Sequence, residues 1–140
     1  MKALELVFEE LSGHQVVLSF GSTGKHYAQI KNGAPFDVFM AADIERPRLL
    51  ETQGLAQTDS RMTYARGKLI LWTSKSGIDD IKNTLLIGKD FRHLAVANPK
   101  LSPYGLAAQQ VMIKLDVWPR LQPKLVRGEN IAQTFQFVHS

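Results

Sequence analysis

Two neighbouring hydroxyls, Ser22 and Thr23, lie between Gly21 and the pair Gly24-Lys25, where an apolar β-type run gives way to a helix-type pattern. The run Gln15-Val16-Val17-Leu18-Ser19-Phe20 is rich in residues that favour strands, and Gly21 lets the chain turn tightly after it. Ser22 or Thr23 can then cap a helix reaching about Asn32, with Gly33 as its left-handed stop. The first N–H groups of a helix lack intrahelical partners and its dipole places partial positive charge there, so this junction suits an anion. The same two residues also suffice as plain helix caps, and spacing leaves both roles open.

Two more junctions share the design. Asn98-Pro99 leads through Ser102-Pro103-Tyr104-Gly105 into a helical pattern, and Gly128-Glu129-Asn130-Ile131 leads into another. In an open α/β sheet, ligands bind at the carboxyl ends of strands, where helix N-termini meet. Three such starts would hold a small oxyanion by neutral donors without a paired cation. A charge-assisted hydrogen bond contributes about 1.5–3 kcal/mol, so a handful reaches micromolar affinity or better after desolvation. Ordinary βα turns would look the same, and composition does not decide between them.

Catalytic chemistry finds little to work with. His14, His26, His93 and His139 are too dispersed for a local metal-spacing motif, and the chain has no cysteine. Ser19, Ser22, Ser74 and Ser102 lack the G-x-S-x-G nucleophile elbow. Glu9-Glu10 and Asp79-Asp80 fall on expected solvent faces, and Gly21-Ser22-Thr23-Gly24-Lys25 lacks the spacer and Lys-Ser/Thr ending of a phosphate-binding loop. The expectation is a protein with no catalytic residue, no metal ligand and no cofactor.

The elements that must position these junctions follow an α/β rhythm. Leu4, Val7, Phe8 and Leu11 mark an opening amphipathic helix closed near Gly13. After the Ser22 helix, Asp37–Ala42 reads as a strand covered on both faces, and Asp43 caps a helix with Pro47 in its first turn and Gly54 as its stop. Met62–Ala65 and Lys68–Thr73 read as extended segments, and Ser74-Lys75-Ser76-Gly77 as a polar break dividing a first lobe, 1–73, from a second, 74–140. Beyond it come a helix at Ile78–Leu86, a buried strand at His93–Ala97, a helix from Pro103, a connection anchored by Trp118, a strand at Lys124–Val126, and a helix at Ile131–Val138. The 44% apolar and 21% charged content of these 140 residues indicates a packed core. The net charge of +4 is scattered and pairs with no nucleic-acid-reading signature, so nucleic acid is not an expected partner. No apolar run is long enough to span a bilayer, and Met1-Lys2-Ala3-Leu4-Glu5 is not a secretory signal.

From Phe20-Gly21-Ser22-Thr23-Gly24-Lys25 through Gly33-Ala34-Pro35-Phe36-Asp37-Val38-Phe39 and Ala42-Asp43, the chain resembles the molybdate-binding periplasmic proteins of ABC transporters. The likeness continues through Leu94–Pro99, Pro103-Tyr104-Gly105 and Pro123–Val126 to Glu129-Asn130-Ile131. It implies a type II periplasmic-binding-protein fold, two lobes with mostly parallel sheets and flanking helices, closing over molybdate or tungstate for a membrane permease. It also implies particular ligands. These are the hydroxyl and amide of Thr23, with Ser22 just before it, the amide of Tyr104, and an amide at Ile131 beside Asn130. Members of that family begin with a further strand and continue past the last helix, so the resemblance implies a fold incomplete at both ends and a periplasmic parent. The alternative expectation is a non-binding remnant that self-associates through edges left without a strand.

Overall fold

A computed structural model describes residues 2–76 and 91–139. Helix α1 spans Lys2–Ser12, α2 Thr23–Lys31 and α3 Glu45–Thr52. Each ends where the sequence sets a stop: Gly13, Gly33 and Gly54 all have positive φ, a conformation that costs glycine no Cβ clash. The N-cap position of α3 is held by Ile44; Asp43, expected there, stands one residue earlier, and its Oδ1 accepts the Arg46 N–H at 2.8 Å, with Pro47 inside the first turn.

The second stretch carries a two-stranded sheet, β1 (Leu94–Ala97) beside β2 (Leu125–Gly128). The strands are parallel, with Leu94 opposite Leu125 and Ala97 opposite Gly128. A parallel pair requires a crossover. Here it consists of α4 (Pro103–Lys114), the short α5 (Trp118–Leu121) and a 3-10 turn over Gln122–Lys124; α6 (Ile131–His139) follows β2. Val96, Met112, Val117 and Leu121 form the buried centre, with Phe91, Leu94, Ala108, Trp118 and Leu125 packed around it. Leu121, with no exposed surface, anchors the connection, whereas Trp118, expected in that role, is half-buried at its edge. A Cβ at Gly105 would overlap the Ala97 carbonyl, so glycine in the first turn of α4 is what lets that helix lie against β1.

The first stretch departs from expectation. The segments Gln15–Phe20, Asp37–Ala42, Met62–Ala65 and Lys68–Thr73 form no β-ladder. A strand is completed by a partner rather than by its own propensity, and none of these segments has one among the described residues. Backbone donors turn to side chains instead: Val16 N–H to Glu9 Oε1 at 2.7 Å and Ala42 N–H to Thr23 Oγ1 at 3.2 Å. Apolar groups of these segments stay open, Val17 at 95% exposure and Val38, in the run expected to be covered on both faces, at 78%. The α1 stripe is likewise uncovered, Leu11 being 82% exposed. The helix expected at Ile78–Leu86 falls outside the described residues.

The two stretches meet at several points. Trp72 stacks on Phe135 of α6 with ring centroids 4.9 Å apart, and Ser74 Oγ donates to the Val138 carbonyl at 2.8 Å. Gly67 lies under the Tyr104 ring, whose hydroxyl would be 3.2 Å from a Cβ there.

Candidate oxyanion-binding site

Ser22 has extended backbone and caps α2, its Oγ accepting the Lys25 N–H at 3.3 Å. Thr23 is the first helical residue, and its Oγ1 accepts from Ala42. Both are buried, at 3% and 6% exposure. A hydroxyl that accepts a backbone bond keeps its own proton, so each remains able to donate to an anion. The Thr23 amide, at the first helical position, has no intrahelical acceptor.

At α4, Ser102 occupies the N-cap position and Pro103 opens the helix. Proline has no N–H, so the Tyr104 amide is the first donor that helix offers. At α6, Asn130 Oδ1 accepts the Gln133 N–H at 2.9 Å, and Gln133 Oε1 accepts the Glu129 N–H at 2.6 Å. Thr134 Oγ1 adds a bond to the Asn130 carbonyl at 2.8 Å. The Asn130 side-chain oxygen is thus committed to the cap, which leaves its NH2 and the Ile131 amide as donors. The Ile131 side chain is half-exposed, so only its backbone is suited to a ligand role.

Three contacts bring these starts together. The Gly24 N–H of α2 donates to the Leu101 carbonyl, in the loop before α4, at 2.8 Å. Lys25 Nζ pairs with Glu129 Oε1, in the loop before α6, at 3.1 Å. The Asn98 N–H donates to the Gly128 carbonyl at 2.7 Å, joining the ends of β1 and β2. A groove of about 580 Å³ runs along the flank of α2 beside these contacts, lined by Gly24, Lys25, Leu101 and Glu129 with the outer side of the helix. Ser22, Thr23, Tyr104, Asn130 and Ile131 do not line it.

Sequence reasoning missed Gly24, Lys25, Leu101 and Glu129, whose contacts link segments far apart in the chain. Glycine in the first turn of a helix is unfavourable and signals close approach by another backbone, which was the available clue at Gly24. His26, one of the four histidines too dispersed for a metal motif, is held in place on both sides of its ring. Its ring packs edge-on to Phe36, with centroids 5.6 Å apart, and bonds Gln29 Oε1 through Nδ1 at 2.9 Å. Its Nε2 is buried against Gly21 without a hydrogen-bond partner among the described residues. Among the described residues no group of three acidic or histidine side chains could hold a metal ion, and no helix is long and apolar enough to cross a membrane.

A bacterial extracellular solute-binding protein family model matches residues 1–140. The chain is 50% identical over 138 residues to the molybdate-binding protein ModA of Azotobacter vinelandii, covering 99% of this chain and 55% of that protein. It is 45% identical over 136 residues to the ModA of Rhodobacter capsulatus, covering 97% of this chain and 54% of that one. In three dimensions it matches the periplasmic molybdate-binding protein of Azotobacter vinelandii with a TM-score of 0.92 at 42% identity, over 98% of this chain and 60% of that one. The chain therefore spans about half the length of the curated relatives it matches. The match in fold confirms the periplasmic-binding-protein architecture expected from the motifs. With the family match running over every residue, the chain belongs to the bacterial extracellular solute-binding proteins.

Proposed function

We propose that this protein captures molybdate, and tungstate as a second ligand, in the periplasm and delivers it to the membrane permease of an ABC transporter. The observation that carries this reading is the joining of three helix starts, α2 to the loop before α4 through Gly24 and Leu101, and to the loop before α6 through Lys25 and Glu129. The donors are the Ser22 and Thr23 hydroxyls and the Thr23, Tyr104 and Ile131 amides, with the Asn130 NH2 beside them. Binding proceeds without chemical change to the anion. The first lobe is residues 1–73 and the second 74–140, with the polar stretch from Ser74 as the link between them. Kinship with molybdate-binding proteins supports the choice of anion.

Calorimetric titration tests the proposal, using molybdate, tungstate and sulfate against this chain and against a version extended to the length of its relatives. Saturable one-to-one heat with molybdate and tungstate is expected. No heat from either protein would overturn it.

The open segments favour a second reading, in which copies of this chain associate. Gln15–Phe20 and Asp37–Ala42 leave strand-type backbone without a ladder among the described residues, with Val17 and Val38 exposed, and unpaired strand edges recruit other strands. Size-exclusion chromatography with light scattering separates the readings, since a concentration-independent monomer excludes association.

A further inference from the structure

One close approach between the two stretches falls at a residue with no side chain. Gly24 stands directly after Thr23, and its N–H meets the Leu101 carbonyl at 2.8 Å. A Cβ at Gly24 would lie 2.8 Å from that oxygen and 3.1 Å from the Leu101 Cα. Both are backbone atoms, so no rotamer change relieves the overlap and the loop itself would have to move. Two flanking contacts reinforce the approach, Arg46 Nη2 to the Lys100 carbonyl at 3.3 Å and the Lys25–Glu129 pair. That pair is about half exposed on both sides, so solvent screens it and it contributes little beside the backbone contact.

We propose that Gly24 is a positioning residue that sets how far the second lobe closes on the first, with Lys25–Glu129 and Arg46–Lys100 as the flanking parts of one latch. In this proposal the latch sets the spacing between Thr23, the residue before Gly24, and the Tyr104 amide, three residues beyond Leu101. A larger residue at position 24 wedges Leu101 outward and lengthens that spacing without removing any proposed donor. This rests on reading the site as an anion-binding cleft, and the test keeps the two separable.

The chain has no cysteine, so Thr52→Cys on α3 and Lys114→Cys on α4, both on exposed surface, accept spin labels for a pulsed EPR distance between the two lobes. In the doubly labelled protein, Gly24→Ala is expected to lengthen and broaden the distance distribution without any anion present. It is also expected to weaken molybdate binding by about tenfold or more, the effect of one lost charge-assisted hydrogen bond. Helical circular dichroism should be retained, because alanine favours the helix. Should Gly24→Ala fail to fold, Lys25→Glu carries the test: like charges at 25 and 129 lengthen the distance, and Lys25→Glu with Glu129→Lys restores it. A distance distribution unchanged in Gly24→Ala, or unchanged in Lys25→Glu where that variant carries the test, overturns the latch. A lengthened distance in Gly24→Ala, where neither the unsubstituted chain nor its extended version binds molybdate, supports the latch and overturns the anion reading.

Discussion

A hydroxyl that accepts a backbone bond uses a lone pair and keeps its proton, which is why Ser22 and Thr23 can hold the structure and, as the proposed anion donors, still donate. Thr23→Ala removes one proposed anion donor, and the loss of a hydrogen bond to a charged ligand, about 1.5–3 kcal/mol, weakens binding by about 10- to 150-fold, as a titration would read. Ser22→Ala removes the cap and lowers the unfolding free energy by about 1 kcal/mol in urea denaturation. On α3, the hydrogen bond from Arg48 holds the Glu45 carboxyl below its ordinary value, and Glu45 in turn raises Arg48. A depressed carboxyl pKa stabilises the fold above the unfolded pKa and loses that contribution as pH falls through the folded value. This pair is solvent-exposed, so the visible effect is local. Arg48→Ala shifts the Glu45 carboxyl titration upward by NMR and leaves the acid-unfolding midpoint in place. The cap at Ser22 was legible because a hydroxyl before a helical run is a local signal. Glu129 was not, because its partner Lys25 is defined only once distant segments have met.

At the level of elements, the helices of the described residues were legible and the strands expected between residues 15 and 73 did not form ladders there. The limits of α2 follow from Ser22 and Gly33, residues that act on their own neighbours. A ladder is a contract between two segments, and Gln15–Phe20 or Asp37–Ala42 carry the right residues without a partner among those described. The β1–β2 pair did form where expected, because the crossover through α4 delivers Leu125 opposite Leu94 and buries Val96 against Met112. That packing should be brittle. Leu121→Ala empties a fully buried position and is expected to cost about 2–5 kcal/mol by chemical denaturation. Gly105→Ala pushes α4 off β1 because its Cβ meets the Ala97 carbonyl, and should lower the melting temperature despite its better helix propensity.

Over the whole molecule, the sequence motifs conveyed the architecture, and the 0.92 TM-score to a periplasmic molybdate-binding protein agrees with it. What they did not convey was how the helix starts are held against one another. That depends on a glycine, a carbonyl and a half-exposed ion pair, none of which carries a motif. The central claim is that Thr23, Tyr104 and Ile131 act on one anion, and amide NMR of the nitrogen-15-labelled protein titrated with molybdate addresses it most directly. The account predicts that these three amides shift together along one saturation curve with a single stoichiometric endpoint. Shifts confined to one helix start, or midpoints that differ among the three, would contradict it.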